Sequence, residues 1–84
     1  MTLEQVKQTS FGKLQELLGE PRGKMLMDGY FASNEVRNIS LYLLGEPQIE
    51  DRWVSGMTES EIMELITEND EHFIRCICSP LITE

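Results

Sequence analysis

Basic residues are scarce in this chain. Seven Lys and Arg stand against fifteen Asp and Glu among 84 residues, a formal net charge of -8 with the single histidine neutral. So acidic a chain offers no footprint for a phosphate backbone or an anionic bilayer, which disfavours DNA, RNA and a membrane as direct partners. Apolar runs are short: none approaches the roughly eighteen residues of a membrane span. The opening MTLEQVKQTS lacks the apolar stretch of a signal peptide. Cysteine is limited to Cys76 and Cys78, a pair that makes no disulfide framework and points to a reducing, cytoplasmic setting. The six glycines form no phosphate-cradling loop, and neither a nucleophile elbow nor a four-ligand zinc spacing is present. What is present is the composition of one globular domain over residues 1–84, with 40% apolar and 26% charged residues.

The charge is unevenly placed. Residues 1–45 hold five acids and five bases, whereas residues 46–84 hold ten acids and only Arg52 and Arg75 as bases, so the whole surplus lies in the second half. One-sided charge of this kind serves solubility in any small protein, and it also steers partners of opposite sign.

Apolar spacing predicts a mainly α-helical fold with three main helices. Thr2 and Gln5 are spaced as a capping box, and Leu3, Val6, Phe11, Leu14, Leu17 and Leu18 share one face of a helix over about 2–18. Gly19 and Pro21 end it. A second helix, capped by Ser33 or Asn34, carries the stripe Val36, Ile39 and Leu43, with Tyr42 and Leu44 flanking it and Leu41 pointing away. A helix so apolar at its C-terminal end is either buried there or paired with another chain. Gly45 and Pro47 end it as Gly19 and Pro21 end the first, and the repeated LLGEP reads as shared cap chemistry rather than duplication.

The third helix starts at the Thr58/Glu61 capping box. Its seam of Ile62, Ile66, Asn69, Phe73 and Cys76, beside Leu65 and Ile77, runs toward Pro80. The alternative is α+β, with a turn at Asn69-Asp70 and a short strand over 73–78, since Phe-Ile-Arg-Cys-Ile-Cys has strand-like content. Segments 20–32 and 46–57 read as packed connections, with room for a short strand pair between Lys24–Met27 and Arg52–Ser55.

Several constellations bear on function. Glu61, Glu64, Glu68 and Glu71 fall on one helix face, a ridge continued by Arg75. Four charges over a span where duplex DNA carries about nine suit a protein contact better than DNA mimicry, unless Glu50, Asp51, Glu59 and Asp70 join them. The bland alternative is the solvated face of an amphipathic helix. His72, Cys76 and Cys78 are the one cluster with metal-ligand chemistry, but the C-x-C spacing and the lack of a second pair favour cysteines acting as small hydrophobes. Tyr30, Phe31, Tyr42 and Trp53 belong to the classes enriched at binding hot spots, yet a chain this short needs aromatics for its core. Exposure of Trp53 beside Glu50 and Asp51 would mark it as an interface residue. The Asn38-Ile39-Ser40 sequon lies within a helix and carries no weight.

These readings converge on a non-enzymatic acidic protein-binding module without cofactor, metal or catalytic residues. It would act as an inhibitor or adaptor, docking its negative face on a basic surface of a larger protein such as a nucleic-acid-handling enzyme. Small acidic inhibitors of phages and mobile elements are of this type. The candidate contact residues are Glu50, Asp51, Trp53, Glu59, Glu61, Glu64, Glu68, Asp70 and Glu71. The alternative is a self-associating structural or regulatory protein, a homodimer whose core is the seam Ile62–Cys76 and the apolar end of the second helix.

Overall fold

The computed structural model describes residues 1–50 and 52–83. Five α-helices occupy the described residues, with no strand among them: α1 (Leu3–Gln8), α2 (Phe11–Leu18), α3 (Arg22–Gly29), α4 (Asn34–Leu43) and α5 (Glu59–Ile77), followed by a 3-10 turn at Ser79–Leu81. The mainly α reading holds, and the strand alternatives at 73–78 and at 24–27 with 52–55 do not.

The helix expected over 2–18 is two helices. The Thr2/Gln5 capping box forms, but the Thr9 hydroxyl turns back to donate to the Gln5 carbonyl at 2.6 Å while its backbone becomes extended. Ser10 then starts a new helix by accepting from the Lys13 N–H at 3.4 Å. Adjacent hydroxyls competing for backbone partners interrupt a helix in this way. An unbroken helix would set Val6 and Leu14 about 80° apart; the break lets both point into one core.

Pro21 follows the end of α2, and it also opens α3. Gly19 (φ 64°) ends α2, and Pro21 stands at the N-terminus of the next helix, where its missing N–H has no partner to lose. Two glycines within α3 depress its propensity enough to hide it from the sequence. Gly29 is there because α5 passes so close that a Cβ would overlap the Phe73 ring tip.

In α4 the apolar stripe is inverted. Leu41 and Arg37 are buried, whereas Val36, Ile39, Tyr42 and Leu43 are exposed. The cause is the guanidinium of Arg37. Its Nε donates to the Gly29 carbonyl at 3.0 Å, Nη2 to that of Tyr30, and Nη1 to Asp70 Oδ1 at 2.6 Å. The first two acceptors lie at the C-terminal end of α3, where helical carbonyls lack partners. Satisfying them fixes which side of α4 faces inward. Asn38 strengthens the choice, accepting from the Ile49 N–H at 2.7 Å and donating to its carbonyl at 3.0 Å, which clamps the following connection to α4. Arg22 plays the corresponding part for α5, donating to the Cys76 and Ile77 carbonyls at 2.9 and 3.2 Å.

The long third helix is confirmed as α5. Thr58 caps it, but the reciprocal half of the box differs: the Glu61 carboxylate accepts from the Thr58 hydroxyl at 3.2 Å. Phe73, Cys76 and Ile77 join Val6, Leu14, Leu26, Leu41, Ile49 and Cys78 in one core. The C-terminal part of the seam, Phe73 and Cys76, is therefore intramolecular, whereas Ile62 is half-buried and Ile66 exposed. From Glu59 to Glu68 only Leu65 is buried, and it stands apart from the main cluster. This half of the helix thus meets the body through Leu65 and half-buried Ile62 and forms only a partial overhang. The radius of gyration of 13.2 Å exceeds the roughly 12 Å of a compact domain this size, and the long dimension is 41 Å against 25 and 21 Å.

Candidate protein-docking surface

The extended N-terminal half of α5 presents two unlike faces. Along one side run Glu61, Glu64 and Glu68, all exposed, and then half-buried Glu71. Glu68 meets Arg52 at 3.6 Å, and Glu71 meets both Lys7 and Arg75 at 3.4 Å. Glu59, Glu61 and Glu64 have no ion-pair partner among the described residues. The unpaired part of the ridge is therefore its N-terminal end, next to the positive end of the helix dipole, where negative charge is stabilised. On the other side project Met63, 60% exposed, Ile66, 47% exposed, and half-buried Ile62.

Asp70 does not belong to the ridge. It turns toward α4 to meet Arg37 and serves the fold. Glu50 is exposed, and Asp51 lies outside the described residues. Trp53 is 86% exposed. Its chain neighbour Arg52 meets Glu68 of α5. Exposed pairs such as Arg52–Glu68 contribute only about 0–1 kcal/mol, so a competing cation can displace Arg52. Asn69 sits mid-helix and half-buried, lining a shallow cleft with Pro47, Ile49, Arg52 and His72, rather than ending a helix. Met63 was missed in the sequence because it lies off the seam, and its exposure depends on where the body of the protein stops.

The cysteine neighbourhood has other chemistry. His72 Nε2 lies 2.7 Å from the Pro47 carbonyl, which can only accept, so that nitrogen carries the proton and has no lone pair for a metal. Burial pushes the Cys76 thiol up, with the Glu46 carboxylate adding to it, and burial pushes the Cys78 thiol up to about 11. Both stay protonated at neutral pH, which removes the nucleophilic thiolate. The shift has a consequence for stability. An unfolded chain releases the Cys78 proton near pH 9, whereas the folded protein keeps it to about 11, so over this window the unfolded state binds fewer protons and stability falls as pH rises. Urea unfolding between pH 8 and 11 should show a loss from Cys78 of about 2–3 kcal/mol, so a Cys78→Ala variant should show a clearly shallower slope, retaining only the part due to Cys76. Equal pH slopes for the two proteins would refute this assignment.

Compared with protein-family models, with curated proteins and with solved structures, the chain matches none.

Proposed function

We infer that this protein is a non-enzymatic binding module whose α5 overhang docks into an apolar groove with a basic rim on a larger protein. One observation carries this reading: the first three turns of α5 keep Met63 and Ile66 exposed and Ile62 half-buried outside the main core, with Glu59, Glu61 and Glu64 unpaired among the described residues beside them. Helix-in-groove recognition uses apolar anchors spaced one helical turn apart, and Ile62 and Ile66 have that spacing. The acids set the sign of the rim and speed encounter, while the apolar side supplies most of the affinity. Trp53 adds an anchor of the class that dominates binding energy at interfaces. Blocking a basic site on such a partner would make the module an inhibitor, and bridging it to a second protein would make it an adaptor.

A photo-crosslinking amino acid at position 63 tests this in lysate of the protein's own host, with the same probe at exposed Lys13 as the control. The expected result is a partner captured at 63 and not at 13, with less capture when the light is applied at high salt, as screening of the encounter predicts. Met63→Lys with Ile66→Lys, and separately Glu61→Lys with Glu64→Lys, should each reduce capture by at least roughly tenfold. Both variants change exposed positions and should keep the wild-type circular dichroism. Capture unaffected by either pair would refute the overhang as the contact.

A further inference from the structure

We propose that the outer face of α4 is a self-association surface, on which a second copy of this chain packs its own α4 about a two-fold axis. Val36, Ile39 and Leu43 lie within an arc of about 60° on the side of the helix away from the core. Ile39 is 62%, Leu43 68% and the flanking Tyr42 72% exposed. An amphipathic helix normally turns its apolar stripe inward. Here Arg37 and Asn38 hold the opposite side against α3, α5 and Ile49, so the stripe faces out.

Charge selects the occupant. The only charged side chains of α4 are Glu35 and Arg37, and Arg37 is turned inward and paired with Asp70. The outer face thus offers a charged partner only Glu35, which lies between Ile39 and Tyr42 around the helix, at its N-terminal end. A second copy, by contrast, brings an identical uncharged stripe, and an isologous contact of this kind is self-complementary. Geometry removes the obvious objection that two chains of net -8 repel. α5 packs on the inner side of α4, so joining outer faces sets the acidic overhangs on the far sides of the pair, while residues 1–45 have no net charge.

The area is sufficient for a weak dimer. The four residues expose roughly 500 Å² per copy, so covering them completely would bury about 1,000 Å² for the pair, the lower limit for a specific interface. The dimer should therefore dissociate on dilution. Because the overhang remains free in it, this assignment stands apart from the docking proposed for α5.

Sedimentation equilibrium over a dilution series of the full chain is the test. Wild-type protein should move from dimer to monomer on dilution. Ile39→Lys with Leu43→Lys should be monomeric throughout with unchanged circular dichroism. Ile39→Ala with Leu43→Ala, which keeps helix propensity and so guards against unfolding, should raise the dissociation constant at least roughly tenfold. Met63→Lys with Ile66→Lys should leave association intact. A wild-type monomer at every concentration would overturn the proposal, as would a dimer that both α4 variants retain or that the α5 variant alone abolishes.

Discussion

Replacing Arg37 by alanine is expected to lower the stability by about 3 kcal/mol, chiefly because two carbonyls at a buried helix end lose their donor, while Asp70, its side chain 39% exposed, is left to solvent. The side chain meets three acceptors from two helices: the Gly29 and Tyr30 carbonyls of α3 and the Asp70 carboxylate of α5. Its guanidinium carbon also lies 5.1 Å from the centre of the Phe73 ring. Truncation strands two carbonyls at a buried helix end and removes the counter-charge from Asp70. A domain of this size has about 4–13 kcal/mol in total, so the variant is left marginal, and its melting temperature should drop by roughly 15 °C or more. Lysine restores the charge but cannot span three acceptors, so Arg37→Lys should recover only part of the loss. Arg37→Met separates packing from polar bonding, since it keeps the apolar stem. Thermal and urea melts of the three variants decide the matter, and a methionine variant within 1 kcal/mol of wild type would show that the hydrogen bonds contribute little.

A second large effect is expected where α3 crosses α5. Phe73 is fully buried, and its ring tip lies where a Cβ on Gly29 would fall, with Cε2 3.1 Å from that position. Phe73→Ala should destabilise by about 3–5 kcal/mol through lost transfer energy and the cavity left behind. Gly29→Ala would stabilise an unencumbered helix by about 1 kcal/mol; here overpacking reverses the sign, with an expected loss of about 1–3 kcal/mol. The two positions share one space, so the effects cannot add. Combining Gly29→Ala with Phe73→Leu should cost less than the sum of the single changes. Strict additivity in urea melts would mean that the helices separate instead of competing for volume.

Both effects lie at contacts between distant parts of the chain, and this marks how far the sequence could be read. Helix ends were legible because they depend on neighbouring residues. Thr2 and Thr58 stand at helix starts as their spacing predicts, Ser33 rather than Asn34 precedes α4, and Gly19 and Gly45 take positive φ at helix ends. The length of α5 was legible too, because four-three spacing continues through Asn69 without a glycine or proline. The break at Thr9-Ser10 is also local, but two hydroxyls inside an apolar periodicity are tolerated as often as they interrupt it. Only the packing of Val6 and Leu14 into one core shows which outcome holds.

The candidate surface divides in the same way. The ridge of Glu61, Glu64 and Glu68 follows from helical spacing, and the structure leaves these carboxylates exposed. Asp70 could not be told from its neighbours by sequence, because its partner Arg37 is thirty-three residues away. Nor could the outward turn of Val36, Ile39 and Leu43. Periodicity finds an apolar stripe but says nothing about whether the molecule or its partner will cover it.

The scarcity of basic residues was a property of the sequence alone, together with the acidic second half and the helical spacing. These set the fold class and the sign of the surface, since they depend on composition and on neighbours within a turn. The tertiary structure decided how the few bases are used. Arg37 and Arg22 cap helix ends, and Lys7, Arg52 and Arg75 each meet an acid on α5. That leaves the start of α5 acidic and the outside of α4 with Glu35 as its one charge. The physical reason is distance: a buried carbonyl or carboxylate selects its cation by proximity in the folded chain, and sequence separation does not report it.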